Sequence, residues 1–330
     1  EKLLSLPGVY KVFSNEQKLS IPASLTNKKT SNFNPLNFEY KRLFKDRSRA
    51  FLKIQDGCDS FCSYCIVPFL RGKPVSMPLK MVLKNLSNLI DENEVVLTGI
   101  HLGKWGKDID MSFEDLMLAI SKENFPFRIR LSSLEAKEIT KNVLEILKEM
   151  DNFCHHFHIP LQSGSDRILK LMKRNYDKTF FKNKIDEVRK FFPNACIGID
   201  VIVGFPGEDE QDFLETYSFL QDLPIDYMHI FTYSPREGTE AYNHKNLVDK
   251  DTVLIRYQKL KELNDVKRKF FIERFLNRDI LCIPDKKIGS GYYRALSREY
   301  IKVIIKDKIP EREFRAKLIN TDTLEAVIAN

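Results

Sequence analysis

Strand-like and helix-like segments alternate through the middle of this chain, and that alternation restricts the fold more than any other feature. Short apolar runs rich in β-branched and aromatic residues occupy 51–54, 95–98, 127–131, 157–159, 197–203 and 227–233. Segments with helical spacing of apolar residues lie between them, for example 79–90, 113–121, 139–150, 180–191 and 210–220. Connections of this kind predict parallel strands joined by right-handed crossovers. Six such units predict an α/β fold, a partial (β/α)6 barrel, with its active site in the loops that follow the strands.

The candidate motifs sit at those strand ends. The stretch 57–65 follows the first strand, and Thr98-Gly99 ends the second. Ser132-Ser133 ends the third, Gln162-Ser163-Gly164 follows the fourth, and Gly204-Phe205-Pro206-Gly207 ends the fifth. A loop glycine or serine taken singly marks only a turn; five such groups at one edge of a sheet mark a site. After a long basic helix, 252–274, the pattern changes to short β segments at 279–284, 300–305, 313–319 and 324–328. Their number and spacing predict a small all-β barrel in the size range of oligonucleotide-binding (OB-like) modules.

Cys58, Cys62 and Cys65 form C-x3-C-x2-C directly after the first strand. Thiolates normally cap all four irons of a 4Fe–4S cube, so three ligands in one tight loop leave one iron open. An open iron can chelate the amino and carboxylate groups of S-adenosylmethionine (AdoMet), which can then accept an electron and deliver radical chemistry that polar side chains cannot supply. The competing reading is a zinc knuckle, but that needs a fourth Cys or His at ordinary spacing, and His101 is far along the chain. Phe61 and Tyr64 inside the loop are expected to shield the cluster from water, and Tyr64 alternatively to stack on adenine. Cys154, Cys196 and Cys282 stand singly in apolar contexts and are expected to be buried. Six cysteines in 330 residues are too few and too unevenly placed for a disulfide scaffold.

No apolar run approaches the length of a membrane span and no secretory signal pattern is present, so a cytoplasmic protein without a membrane partner is expected. The formal charge is +7, and its distribution matters more than its size. Lys41, Arg42, Lys45, Arg47, Arg49 and Lys53 stand against Asp46 alone, and a second basic stretch runs from Arg256 to Arg274. Two basic patches suit a phosphate backbone, although solvated lysine faces give the same pattern. The polar stretch from Ser20 to Asn37 reads as a linker trailing from an upstream unit, and the chain as a fragment.

The flanks of the cysteine loop carry a resemblance. GCDSFCSYCIVPFLRG, VVLTGIHLG, RLSSLE, HFHIPLQSGSDRILKLMKRNY, GIDVIVGFPGE and FTYSPREGTEA resemble the methylthiotransferases of the radical-AdoMet superfamily. Within them they look most like the branch acting on N6-threonylcarbamoyladenosine in tRNA, from about residue 42 to the end. The isopentenyladenosine branch shares the cysteine loop and remains the alternative, as does a non-catalytic RNA-binding protein with a structural cluster. The resemblance implies three parts: 1–43 as the tail of an N-terminal domain plus linker, 44–274 as the radical-AdoMet core, and 275–330 as a TRAM domain that binds RNA. It implies a tRNA anticodon-loop substrate modified at adenosine 37, a reducing electron donor such as flavodoxin or ferredoxin, and a sulfur source. A second 4Fe–4S cluster is expected on three further cysteines of the N-terminal domain.

For this sequence the resemblance assigns Cys58, Cys62 and Cys65 to the cluster. Thr98 and Gly99 are expected to hold the AdoMet amino group, and Ser132, Glu135, Gln162 and Ser163 its carboxylate or ribose. No acid, base or nucleophile is singled out as catalytic. Tyr292, Tyr293, Arg294, Arg298 and Tyr300 are expected to grip RNA. After Arg71-Gly72 the family usually continues with arginine, whereas this chain has Lys73-Pro74, so one grip on phosphate is expected to be missing there. His156 and His158 alternate about Phe157 and share one strand face; as a metal pair they lack an evident third ligand in the sequence, and they are expected to line the barrel.

Overall fold

The computed structural model describes residues 3–13, 17, 21, 24, 36, 39–40, 48–306 and 308–329. Lys41, Arg42, Lys45, Arg47 and most of the 20–37 linker lie outside the described residues. Six parallel strands form the core: β1 (Ala50–Asp56), β3 (Glu94–Gly99), β4 (Arg128–Leu131), β5 (His156–His158), β6 (Cys196–Val203) and β7 (Tyr227–Thr232). They fall into two hydrogen-bonded sheets, β2-β1-β3-β4 and β5-β6-β7. The segment entering β5 joins the two, since Ile129 donates to Asn152 O at 2.8 Å and Cys154 donates back to Ile129 O at 2.8 Å. β3 and β6 are mostly apolar, as expected of parallel strands covered by helices, whereas Arg128 and Arg130 on β4 and His156 and His158 on β5 bring polar side chains into the sheets.

The crossover helices start where short polar side chains can cap them. α3 (Phe113–Ser121) and α7 (Glu210–Asp222) open with reciprocal capping boxes, Ser112 with Asp115 and Asp209 with Asp212. α4 (Lys141–Glu149) starts two residues later than its apolar spacing predicts, because Thr140 accepts from Val143 N and fixes the first turn there. α6 (Lys178–Phe191) starts two residues earlier than predicted, since Asp177 is its cap. Each helix lays an apolar face on the sheet; α6, for instance, buries Phe181, Ile185 and Val188.

Two features depart from the sequence pattern. β2 (Val75–Ser76) runs antiparallel to the end of β1, pairing Gln55 with Ser76 and Asp56 with Val75. It is too short to show a periodicity. β9 (Tyr292–Ser297) lies between the first two β segments picked out by spacing and carries Tyr292, Tyr293 and Arg294; Gly289 and Gly291 interrupt the apolar run before it and blur its start. With it, the C-terminal residues form a five-stranded antiparallel sheet in the order β10-β9-β8-β11-β12. β8 covers Asp279–Gly289, β10 Lys302–Lys306, β11 Phe314–Leu318 and β12 Ala326–Ile328. An isolated pairing of Ile304 with Glu325 brings its two edges together.

The two units share a charged seam at the N-terminal ends of the parallel strands. Glu94 opens β3 and Arg128 opens β4, and with Arg130 they are essentially solvent-free. Glu94 accepts from Arg128 Nε at 2.6 Å and from Arg130 Nε at 2.8 Å. The arginines' remaining donors reach backbone carbonyls of the C-terminal sheet: Arg128 to Leu296 O at 2.8 Å, Arg130 to Ser297 O and Arg298 O, both at 3.2 Å.

The basic residues of the long helix α8 (Lys250–Glu273) and its end are divided: Lys259, Lys261 and Lys269 are exposed, while others are engaged by the protein itself. Arg256 is buried against Glu208, Lys267 donates to Gln221 O and Leu223 O, Arg268 donates to Tyr300 O, and Arg274 pairs with Asp226. Once these groups are engaged, what remains for a phosphate is a scatter of exposed lysines.

Candidate functional site

β1 ends in a turn that only glycine fits. Gly57 has φ +75°, and a Cβ there would lie 2.1 Å from Lys73 O. The close approach lets Cys58 N donate to Gly72 O at 3.0 Å, which ties the start of the cysteine loop to its end. Gln55, fully buried, holds the loop from below. Its amide donates to Asp56 O and Gly57 O at 2.9 and 2.8 Å, and its Oε1 accepts from His101 N at 2.7 Å. Cys65 N donates to Cys62 O at 2.9 Å, closing the second turn. All three thiols are free and partly exposed, whereas Cys154, Cys196 and Cys282 are buried as expected.

Each side of the loop has a charged neighbour. His101 Nδ1 lies 3.3 Å from Cys58 Sγ and 3.3 Å from Ser60 Oγ, and its Nε2 lies 2.5 Å from Glu138 Oε1. Burial alone would raise the Cys58 thiol, but the hydrogen bonds from His101 and Ser60 bring it down to about 7. Burial disfavours a charged His101, yet Cys58 and Glu138 raise it to about 9. Cys65 has no such partner, and burial pushes its thiol up. On the other side, Arg174 reaches Cys62 Sγ at 3.5 Å, pairs with Glu135, and donates to Tyr176 Oη. Tyr176 in turn donates to Pro160 O at 2.9 Å, so the guanidinium is held from two directions.

Between these groups lies an open cavity of about 340 Å³, walled by Cys62, His101, Glu135, Glu138, Arg174 and Tyr176 among others. The donor set suits an iron–sulfur cluster: soft thiols, one held near neutrality, with cationic groups beside two of them to balance thiolate charge. The cavity offers both acidic and basic groups to a zwitterionic ligand.

The predicted ligand residues are placed unequally. Glu135 is in the cavity wall; Thr98, Gly99, Ser132, Gln162 and Ser163 are not. Gly99 sits at the end of β3 against Gln55, where a Cβ would come within 2.9 Å of the glutamine side chain. Ser132 Oγ is buried without a partner. Gln162 has φ +76° and pairs with β6 through its backbone. The Ser163 hydroxyl is engaged inside its turn, 3.3 Å from Thr216 Oγ1 and accepting from Ser165 N.

Phe61 does not shield the loop: it is 53% exposed and stands edge-on to exposed Phe69. Tyr64 turns inward against a small cluster around Ile168, Met172 and Phe205. Sequence reasoning passed over Gln55, His101, Glu138, Arg174 and Tyr176 as site residues. A signal was present for most of them: His101, Arg174 and Tyr176 stand in the stretches VVLTGIHLG and HFHIPLQSGSDRILKLMKRNY that carry the resemblance, and Gln55 stands just before the loop; what the sequence does not display is that they meet at the thiols.

Of the expected RNA-gripping residues, Tyr292 is exposed, Tyr293 packs on the small barrel's core, Arg294 pairs with Asp285 and Arg298 with Glu313. Tyr300 is turned into the seam, stacked 4.4 Å from His156. Exposed Lys286, Lys287, Tyr292 and Lys302 are left on the surface of this sheet.

The sequence profile of the Radical SAM superfamily matches residues 52–220. The threonylcarbamoyladenosine tRNA methylthiotransferase of Bacillus subtilis is 38% identical over 271 residues, 80% of this chain and 60% of the relative. That of Aquifex aeolicus is 36% identical, with 88% and 70% covered. A tRNA-2-methylthio-N(6)-dimethylallyladenosine synthase of Clostridium tetani is 37% identical, with 66% and 49% covered. The chain thus spans about 60% of the length of the Bacillus relative. Among solved structures, coproporphyrinogen III oxidase from Escherichia coli, a Radical SAM enzyme, superposes with a TM-score of 0.51 at 18% identity, covering 74% of this chain and 61% of that one. This likeness shows a shared fold.

Proposed function

This chain belongs to the Radical SAM superfamily and, within it, to the tRNA methylthiotransferases, and from that premise we propose that it is the radical-generating and RNA-binding part of an enzyme that adds a 2-methylthio group to N6-threonylcarbamoyladenosine at position 37 of tRNA. The observation that carries this reading is the three-cysteine loop at the mouth of the parallel sheet, opening onto a cavity with mixed charge. Relatives that bear the threonylcarbamoyladenosine name match 80% and 88% of this chain.

Cys58, Cys62 and Cys65 would hold the 4Fe–4S cluster. Bound there with AdoMet, it supplies the one-electron chemistry needed at carbon 2 of adenine, an aromatic C–H with no acidic proton to remove. The protein's own residues bind and orient. Gln55 and Gly57 fix the loop, His101 stabilises thiolate charge at Cys58, and Arg174 stands 3.5 Å from Cys62 Sγ. Glu135 lines the cavity and would bind the AdoMet ribose, with Ser132, Gln162 and Ser163 at neighbouring strand ends for its carboxylate or ribose, and Thr98 and Gly99 for the amino group. A base from a single-stranded loop can enter such a mouth without melting a duplex.

In this reading 44–274 is the catalytic core, 275–330 a TRAM-type RNA-binding barrel, and 1–43 a connection to a unit carrying the second cluster. Among the described residues no helix is long and apolar enough to cross a membrane. The proposed substrate, tRNA, is what argues for a cytoplasmic enzyme. A flavodoxin- or ferredoxin-type donor and a sulfur source complete the system.

The test supplies the full-length enzyme with tRNA bearing either modification and reads nucleosides by mass spectrometry. The 2-methylthio product is expected on threonylcarbamoyladenosine. Product on isopentenyladenosine alone would overturn the substrate assignment and leave the radical chemistry standing.

A further inference from the structure

Three side chains on β5, β6 and β7 converge at a point that neither the cysteine loop nor its cavity uses. His158 Nε2 lies 3.1 Å from Asp200 Oδ1 and 3.2 Å from His229 Nδ1, and His229 Nδ1 lies 3.3 Å from the same Asp200 oxygen. Strand register produces the meeting. His229 pairs directly with Asp200, and His158 pairs with Gly198, two residues before Asp200 on the same face.

The three atoms form a nearly equilateral triangle. Hydrogen bonds explain only two sides of it. Asp200 Oδ1 can accept from both rings, but each nitrogen's one proton is then spent on the carboxylate, and the 3.2 Å approach of the two ring nitrogens has no proton to share. Three ligands on one face of a tetrahedral ion with bonds of about 2.0–2.1 Å have their donor atoms ~3.3 Å apart, which is the spacing found. The far nitrogen of His158 is also engaged, with Nδ1 2.7 Å from Ser133 Oγ. Such a bond fixes the ring and leaves Nε2 free to ligate, the arrangement typical around ligating histidines. The His229 side chain is 53% exposed, so an ion has a route in from solvent.

We propose that His158, Asp200 and His229 bind a divalent transition-metal ion, with at least one position open to a further donor. Two imidazoles and a carboxylate are a set suited to Zn2+ and its neighbours and unsuited to a cluster that needs thiolates. The site shares no residue with the cysteine loop.

The full-length protein, reconstituted anaerobically with iron and sulfide, is incubated with Zn2+, freed of loose metal by gel filtration, and analysed for zinc, iron and sulfide. About one Zn2+ per chain is expected beside the full iron content. Asp200→Asn and His229→Ala should each lower zinc by about 10-fold or more with iron unchanged. Because Asp200 is largely buried, the half-exposed His229 supplies the variant that keeps the fold, checked by circular dichroism. A variant with Cys58, Cys62 and Cys65 all changed to Ala should lose the iron of the loop cluster, keep that of any cluster on the upstream unit, and retain zinc. Absence of zinc from the wild type, zinc retained in both Asp200→Asn and His229→Ala, or zinc lost with the cysteines would each overturn the proposal.

Discussion

The two ends of the parallel sheet each gather buried or half-buried charge, yet they are built on opposite terms. At the N-terminal end, Glu94, Arg128 and Arg130 are solvent-free, and the arginine side chains donate to a carboxylate or to backbone carbonyls. At the C-terminal end, Cys62, His101, Glu135 and Arg174 wall an open cavity, with Cys58 beside His101. A saturated network has no capacity for a ligand and acts as structure. A network with thiols and a carboxylate facing a cavity is arranged for something to be added. Burial and charge alone do not separate the two cases; unused coordination does.

The largest effect expected is at the open end. Cys62→Ala should remove cluster iron and abolish AdoMet cleavage, read as loss of 5′-deoxyadenosine formation, while the circular dichroism spectrum is kept. Retention of iron at full stoichiometry would break the contrast at once, because the loop would then be structural.

The closed end should respond in stability instead. Glu94→Gln leaves two buried guanidinium groups without their carboxylate, which should cost about 3–5 kcal/mol in denaturant unfolding. The same site predicts a pH dependence. Burial pushes the Glu94 carboxyl up, but Arg130 and Arg128 outweigh it and hold it well below its ordinary range. A depressed folded value means the contribution is present above the unfolded carboxylate pKa of about 4.3 and is lost as pH falls below it. The wild type should therefore lose stability on acidification below that value more steeply than Glu94→Gln. Equal slopes would show that the carboxylate is not the group that titrates.

Arg174→Lys sharpens the comparison from the other side. It keeps the charge but not the planar fork that joins Glu135, Tyr176 and Cys62. AdoMet cleavage should fall by about 10- to 100-fold through misplacement, with iron content unchanged. An unaltered rate would move Arg174 to the structural group. The smallest effect is expected on the C-terminal sheet. Deleting it would strip partners from Arg128 and Arg130, so point changes are cleaner. Replacing exposed Lys286 and Lys287 with Ala should weaken tRNA binding and lower the salt slope by roughly one for each phosphate no longer neutralised, with the melting temperature unchanged.

Much of the architecture was legible in the sequence because it is written locally. The apolar runs at 95–98 and 197–203 became β3 and β6, and the cysteine spacing marked its loop without help from the rest of the chain. The support around that loop was not legible, because it is assembled over distance. His101 is 43 residues from Cys58, and Arg174 is 112 from Cys62. A lone histidine or arginine in a sequence carries no mark of the thiol it will face. The basic stretch of α8 misled for the related reason that charge counts do not say which side of a helix is covered. Tyr300 misled similarly: an aromatic in a predicted RNA-binding sheet proved to be stacked on His156 in the seam.

The seam itself has a mechanical consequence. Arg128 and Arg130 stand at the start of β4, whose other end leads directly to Ser132 and the mouth, and their donors grip β9 and the residue just after it through Leu296, Ser297 and Arg298 carbonyls. A single strand thus links the C-terminal sheet to the mouth, like the fixed jaw of a caliper. A polynucleotide held by the C-terminal sheet would be measured off against the cysteine loop at one set reach, and only a nucleotide at that distance along the bound strand would be offered to it.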